Sequence, residues 1–180
     1  MPEQVDEVKM AGALRAATEE VFSTMLGMEL AVGEPYRLPN KPDPTNGVVA
    51  LIGLTGKWVG TGGISCSGDL ARKISGQLLM SEYASIDQEV LDAIGEIANM
   101  IVGSFKNALE PEIGPVDMSI PVVVFGHNFT ATSIHRADWL ALPFDCGSQR
   151  LIVKACLAPQ AEHQHRRAGD IHAPLSQVVV

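Results

Sequence analysis

The chain has 180 residues, of which 46% are hydrophobic and 19% are charged. This apolar content excludes an intrinsically disordered chain, and the length suits one domain with room for a short tail. The 21 acidic residues outnumber the 13 Lys and Arg residues and give a net charge of −8, which argues against a general nucleic-acid binder because such a protein needs a basic surface. No apolar run approaches the roughly 20 residues of a membrane helix, and the acidic N-terminus is unlike a signal peptide. We therefore expect a cytoplasmic protein.

Cysteine and histidine usage predicts no metal and no cofactor bound by this chain. Cys66, Cys146 and Cys156 are an odd number of cysteines without C-x-x-C spacing. They indicate neither a disulfide framework nor a zinc site, and we expect buried thiols. Three of the five histidines fall after Pro159 in a polar stretch, which is typical of a mobile tail.

The first half of the chain predicts a helix, an extended segment, a loop, an antiparallel hairpin and a second helix, in that order. The predicted bounds are 3–26 for the helix, 28–38 for the extended segment, 39–47 for the loop, Gly47–Leu54 and Trp58–Cys66 for the hairpin strands, and a start at Ser67 to Asp69 for the second helix. The apolar positions of the first helix are Val5, Val8, Leu14, Val21, Phe22 and Met25, and Gly27 is expected to end it. The glycine-rich stretch 60–63 superficially resembles a phosphate-binding loop, but it lies inside a predicted strand and lacks the Lys-Ser/Thr of such loops.

The longest predicted helix has the clearest pattern. Ser85 and Gln88 form a capping-box pattern at its start, and Glu110-Pro111 is expected to end it because proline disfavours a helical residue before it. Its apolar residues recur every three or four positions, at Val90, Leu91, Ile94, Ile97, Ala98, Ile101, Val102, Phe105 and Leu109. The opposite face must meet solvent or a partner, and it presents Glu89, Asp92, Glu96, Asn99, Gly103 and Lys106.

Three further strands complete the predicted fold. They lie over Met118–Gly126, Ala137–Cys146 and Leu151–Leu157, with Gly147-Ser148 as the turn between the last two. A helix, a hairpin, two helices and then strands indicate an α+β fold with helices packed on an antiparallel sheet. One domain is expected over 1–158, followed by the tail over 159–180.

Three polar residues of the longest helix form one row on its outer face. Asp92, Glu96 and Asn99 stand at positions i, i+4 and i+7, which brings them to one side of the helix. A carboxylate and an amide on a solvated helix face usually contribute only solubility. The spacing alone therefore leaves the function open.

The whole string around this row carries a family resemblance. The signature of the CheC/CheX/FliY phosphatases of bacterial chemotaxis is an acidic residue or serine, three further residues, Glu, two further residues and Asn. This chain resembles that signature in the string D-A-I-G-E-I-A-N-M-I-V-G from Asp92 to Gly103. The order of helices and strands over roughly Val5 to Leu157 also looks like that family. A single motif in a short chain is similar to the CheX pattern within it.

The resemblance implies dephosphorylation of a CheY-like response-regulator receiver domain, whose aspartyl phosphate and Mg²⁺ lie in the partner. Phosphoryl transfer to water needs a positioned nucleophile and stabilised charge. Asn99 would orient the attacking water, because an amide can accept and donate hydrogen bonds at once. Glu96 would pair with a receiver lysine and dock the helix. Asp92 would be an accessory contact, and Gly103 would admit another backbone, although packing explains that glycine equally well.

Two alternatives to a phosphatase stay open at this point. One is a non-catalytic binding module on the same fold, like the middle domain of a flagellar switch protein, and the other is an unrelated domain that matches by chance. The resemblance also implies a homodimer that shares strands across a joint sheet. The apolar segments Met118–Phe125 and Leu151–Leu157 support it, because whichever lies at a sheet edge needs a partner.

Overall fold

Three α-helices pack against one face of an antiparallel sheet, so the predicted α+β class is confirmed. The computed structural model describes residues 5–38, 43–131 and 138–160. The helices in these ranges are α1 (Glu7–Val21), which a π-helical turn (Phe22–Leu26) continues, α2 (Gly68–Leu79) and α3 (Gln88–Ile113). The strands are β1 (Ala31–Val32), β2 (Tyr36–Arg37), β3 (Thr45–Gly56), β4 (Trp58–Cys66), β5 (Val116–Met118), β6 (Val122–Phe129), β7 (Leu140–Cys146) and β8 (Gln149–Pro159).

The long strands form the centre of the sheet in the order β7-β8-β4-β3. β1 and β2 both pair with the outer edge of β7, while β5 and β6 both pair with the outer edge of β3. Two apolar segments were predicted as candidates for a sheet edge. The one that forms β8 lies inside the sheet, and the one that contains the start of β6 lies at its edge. The predicted hairpin is confirmed as β3 and β4, which pair from Val48↔Cys66 to Leu54↔Gly60.

The first helix is confirmed with two corrections. Asp6 caps it by accepting a hydrogen bond from the Val8 backbone N–H, so the helix begins at Glu7, and Gly27 ends it in the left-handed conformation with φ +58°. Val8 and Met25, predicted as apolar-face positions, are 76% and 49% exposed. The buried stripe comprises Met10, Leu14, Ala17, Thr18 and Val21, because this side of α1 packs on α3.

Both predicted ends of α3 were wrong. The N-cap is Asp87, whose Oδ1 accepts from the Val90 N–H at 3.0 Å, and not Ser85. At the other end the helix continues through Pro111 to Ile113, and the Gly114 N–H donates to the Glu110 carbonyl at 2.9 Å. A proline in the last turn removes only one helical N–H, while burial of the Ile113 side chain holds that turn on the core.

The predicted strand over 118–126 is divided into β5 and β6. The residues between them, Ser119–Pro121, are called the β5–β6 connection here. The Ser119 backbone N–H donates to the Gly53 carbonyl at 2.9 Å, and the Ser119 hydroxyl accepts from the Gly53 N–H at 2.8 Å. Pro121 has no N–H to donate to the sheet ladder, which favours an interruption here.

The three cysteines are buried and free, as predicted. Burial raises the pKa of the Cys66 thiol to about 12 and that of Cys156 to about 11, so both stay protonated at neutral pH. Cys146 faces Gln149 at the turn of the β7–β8 hairpin, whereas Cys156 lies at its other end, beyond the Leu140↔Ala155 pair. Residues 161–180, most of the predicted tail with His163, His165 and His172, lie outside the described residues.

Two glycines bring α3 close to the sheet. A Cβ on Gly62 of β4 would lie 2.9 Å from a Cγ of Val102, and a Cβ on Gly95 of α3 would lie 3.3 Å from Val123 and 3.4 Å from Pro121. The contacts with Val102 and Val123 are tighter than ordinary van der Waals contacts, so the absence of a side chain at Gly62 and Gly95 favours the close approach of α3 to the sheet. Within the glycine-rich stretch 60–63, Gly62 thus serves helix packing, whereas Gly60 and Gly63 lie against the backbones of β8 and β3.

We expect Gly62→Ala to lower the free energy of unfolding by about 1–3 kcal/mol, because the added methyl group overpacks the contact with Val102. Gly12→Ala is the control, since a Cβ on this exposed α1 glycine meets nothing within 4 Å. That variant should gain about 0.5–1 kcal/mol from helix propensity. Urea denaturation measures both values. Equal stability of Gly62→Ala and the wild type would contradict this role for Gly62.

Candidate functional site

The outer row of α3 places the four predicted site residues along one line of the helix. Asp92 and Glu96 are exposed, whereas Asn99 and Gly103 are half-buried. At a rise of about 1.5 Å per residue, the row extends for about 16 Å. The structure therefore brings together all the residues that the motif predicts.

The other side of α3 holds this row rigidly. Ile94, Ile97, Ala98, Ile101 and Val102 have no exposed surface. Because these residues lie in the core between the site residues, neither end of the row can shift without disrupting the packing on the sheet.

Glu96 and Asn99 are two residues of this row whose side chains have no partner among the described residues. Within the described part of the chain, neither side chain forms a hydrogen bond or an ion pair with another residue. One helical turn separates them, so their Cβ atoms lie about 5–6 Å apart. A carboxylate that accepts and an amide that both accepts and donates are thus available together to a second molecule.

Asp92 differs from this pair because it already has a partner. The Gln88 side-chain amide donates to Asp92 Oδ1 at 2.7 Å within the first turns of α3. Gln88, predicted as part of a capping box, instead orients the Asp92 carboxylate. This arrangement agrees with an accessory role.

Gly103 is not required by the packing inside the chain. A Cβ there would lie 3.7 Å from Met118 Sδ, which is an ordinary contact with the end of a flexible side chain. Packing and docking were equal explanations from the sequence. In the structure, packing among the described residues does not require a glycine at position 103. That Gly103 gives a partner access to α3 stays a prediction.

An ion pair lies at the C-terminal end of the outer face of α3. Lys106 Nζ lies 2.7 Å from Glu110 Oε1, and the same oxygen accepts from the Val116 N–H at 3.3 Å. The hydrogen bond from Lys106, and then that from Val116, lower the pKa of the Glu110 carboxyl. Glu110 therefore ties α3 to the start of β5, and Lys106 pairs with the carboxylate that does so.

One neighbour of the site was not identified from the sequence. The β5–β6 connection lies alongside α3 next to the row: a Cβ at Gly95 would lie 3.4 Å from Pro121, and a Cβ at Gly103 would lie 3.7 Å from Met118, the last residue of β5. These residues are distant from Asn99 in sequence, so no helical spacing could indicate them. The signal present was a proline in the middle of a predicted strand.

The described residues contain no helix that is long and apolar enough to cross a membrane. In the same part of the chain, no three His, Cys, Asp or Glu side chains come together as a metal site.

Fold and site together define a two-layer α+β domain that presents an acid–amide pair on an exposed helix, the arrangement of the chemotaxis phosphatases. The family model described as "Chemotaxis phosphatase CheX" matches residues 48–145, which include the hairpin, α2, α3 and the strands through β7. The chain belongs to this family.

Relatives agree with this assignment. The CheY-P phosphatase CheX of Thermotoga maritima is 30% identical over 128 residues, which are 71% of this chain and 82% of that protein. The crystal structure of CheX from Vibrio vulnificus superimposes with a TM-score of 0.75 at 27% identity, covering 83% of this chain and 99% of the other. The CheX of a CheX–CheY–BeF3–Mg²⁺ complex from Borrelia burgdorferi shares the fold, with a TM-score of 0.73 at 22% identity over 86% of this chain and 99% of that one.

Proposed function

We propose that this protein hydrolyses the aspartyl phosphate of a CheY-like response-regulator receiver domain. The observation that carries the proposal is the pair Glu96 and Asn99, one turn apart on the rigid outer row of α3 and without a partner among the described residues. Membership of the CheX family supports it. So does the relative from Thermotoga maritima, whose name states this activity.

Asn99 has the chemistry to orient the attacking water. Its amide oxygen accepts from the water while its NH₂ group can donate to the phosphoryl oxygens or the receiver, so the direction of attack is set without a titrating group. Hydrolysis in line with the leaving aspartate oxygen needs positioning and charge stabilisation more than covalent chemistry. The half-buried position of Asn99 restricts its side chain and favours one orientation.

Glu96 has the chemistry to dock the receiver. Its exposed carboxylate can accept a charge-assisted hydrogen bond from a lysine of the receiver, which would align the helix over the phosphorylated aspartate. Asp92 and Gly103 would be accessory contacts on either side. The Mg²⁺ that neutralises the phosphoryl group is expected in the receiver, and this chain is proposed to bind no metal or cofactor itself.

The alternative of a non-catalytic module on the same fold predicts binding of a receiver without phosphate release. A module of that kind has no need for an amide one turn from the docking carboxylate. For a protein with the proposed activity we expect the cytoplasmic location that the composition predicts. We expect neither nucleic acid nor a membrane among its partners.

We further propose a homodimer formed through the edge of β6. This strand pairs on one side with β3, and its neighbouring side chains Val122, Val124 and Phe125 are 60%, 42% and 43% exposed. An apolar edge of this length favours pairing with another strand. A second copy related by a twofold axis would pair β6 with β6 and leave both α3 rows accessible.

Asn99→Ala should slow dephosphorylation of an acetyl-phosphate-loaded receiver by about 100-fold, the typical effect of losing one positioned polar group. Binding should change little, because the side chain acts on the water. Asn107→Ala is the matched control, since it removes an exposed amide two turns further along α3. Phosphate release measures both rates, and a normal rate for Asn99→Ala would contradict the catalytic assignment.

Glu96→Gln should raise KM for the phosphorylated receiver by about tenfold, because the substitution removes the charge from a charge-assisted hydrogen bond. The KM of the wild type should rise with salt, and that of the variant should respond less. Glu82→Gln changes the charge equally at an exposed position before α3 and should behave as wild type. An unchanged KM with a reduced kcat would instead place Glu96 at the chemical step.

Light scattering at micromolar concentration should give about twice the chain mass of 19.2 kDa. Val124→Lys, which places a charge on β6, should convert the dimer to single chains. Val8→Lys makes the same change on the exposed side of α1 and should leave the mass unchanged. A wild-type mass of one chain would overturn the proposed dimer.

A further inference from the structure

The β5–β6 connection runs alongside α3 between the levels of Gly103 and Gly95. Pro121 contacts α3 at Gly95, where a Cβ would lie 3.4 Å from its Cγ, and Met118 contacts α3 at Gly103. Gly95, Asn99 and Gly103 are spaced by four residues, so Asn99 lies midway between the two contacts. The eight residues from 95 to 103 rise by about 12 Å, and three extended residues cover about 10 Å. By this interpolation, the backbone of Ser119 and Ile120 passes α3 at about the level of Asn99, while the Ser119 hydroxyl lies against Gly53.

The connection is held firmly in place. Ser119 exchanges two hydrogen bonds with Gly53 of β3, and its hydroxyl donates to the Ile120 carbonyl at 2.9 Å. Proline fixes its own φ and restricts the residue before it. Ile120 is nevertheless 84% exposed. A large apolar side chain is thus displayed on a backbone that has little freedom left to lose on binding.

We propose that Ile120 is a receiver-binding residue that forms an apolar contact directly beside the Glu96–Asn99 pair. This inference rests on the proposed function, because it names a contact to the same receiver domain. The complementary surface on the receiver would be an apolar side chain next to its phosphorylated aspartate. Burial of Ile120 against the receiver adds affinity and leaves the orientation of the attacking water to Asn99.

The position of Ile120 favours the receiver over a second copy of this chain. Pro121 and Val123 contact α3 at Gly95, so the connection borders the functional row of the helix. Pairing of two β6 strands would instead use the backbone edge beyond it, over 122–129. The connection is continuous with the outer row of α3. We therefore expect the molecule that covers Glu96 and Asn99 to cover Ile120 as well.

The test compares Ile120→Ser with the conservative Ile120→Val in phosphate release from Thermotoga maritima CheY phosphorylated with acetyl phosphate. Ile120→Ser should raise KM by about tenfold and leave kcat within about twofold, as expected for lost binding without lost chemistry. Ile120→Val should restore most of the affinity. Binding to the same CheY loaded with beryllium fluoride and Mg²⁺ should weaken in parallel. Val8→Ser is the control, since Val8 is 76% exposed on α1.

The outcomes separate this contact from the proposed function. Normal activity of the wild type, loss of kcat in Asn99→Ala and an unchanged KM in Ile120→Ser would overturn the Ile120 contact alone. A raised KM that accompanies a change in mass by light scattering would overturn it in favour of the dimer interface. A wild type that releases no phosphate from CheY or from the receivers encoded in the same genome would overturn the proposed function and this contact with it.

Discussion

The close packing of α3 on the sheet is the constraint from which the rest of the structure follows. Gly62 allows the Val102 side chain to lie against the backbone of β4, and Gly95 allows Pro121 and Val123 to lie against the helix. A glycine inside a helix costs about 1 kcal/mol relative to alanine, so Gly95 is retained at a loss of local helix stability. What the molecule gains is a long helix held on two sides, with its outer row of polar residues in fixed positions.

Much of this arrangement could be predicted from the sequence because it depends on local spacing. The three-or-four-residue recurrence located α3, and the same periodicity placed Asp92, Glu96, Asn99 and Gly103 on its outer face. The predicted ends of α3 were wrong for two reasons. At the start, Asp87 lies closer to the apolar run than Ser85 and caps the helix in its place. At the other end, burial of Ile113 outweighs the missing N–H of Pro111. The identity of the edge strand and the neighbours of Asn99 depend on contacts between distant segments, which periodicity does not report.

The chemistry of the site agrees with its position on a surface. A nucleophile or general base that acts alone needs an enclosed site that shifts its pKa, whereas the proposed role of Asn99 is to direct a water and requires no titration. In the proposed reaction the phosphoryl group and its cation would come with the partner. The chain would then have to supply two side chains at the correct spacing and a surface that fits the receiver. The proposal assigns these roles to the outer row of α3 and to the β5–β6 connection beside it.

The proposed mechanism requires the Asn99 amide to enter the receiver's phosphorylation site. A protein labelled with ¹⁵N at its asparagines has five side-chain amides, at positions 40, 46, 99, 107 and 128, and single substitutions assign their NMR signals. On addition of a receiver loaded with beryllium fluoride and Mg²⁺, we expect a large shift of the Asn99 signal and a small one or none at Asn107. Omission of beryllium fluoride should remove most of that shift. An unperturbed Asn99 signal in a saturated complex would contradict the proposed role of Asn99.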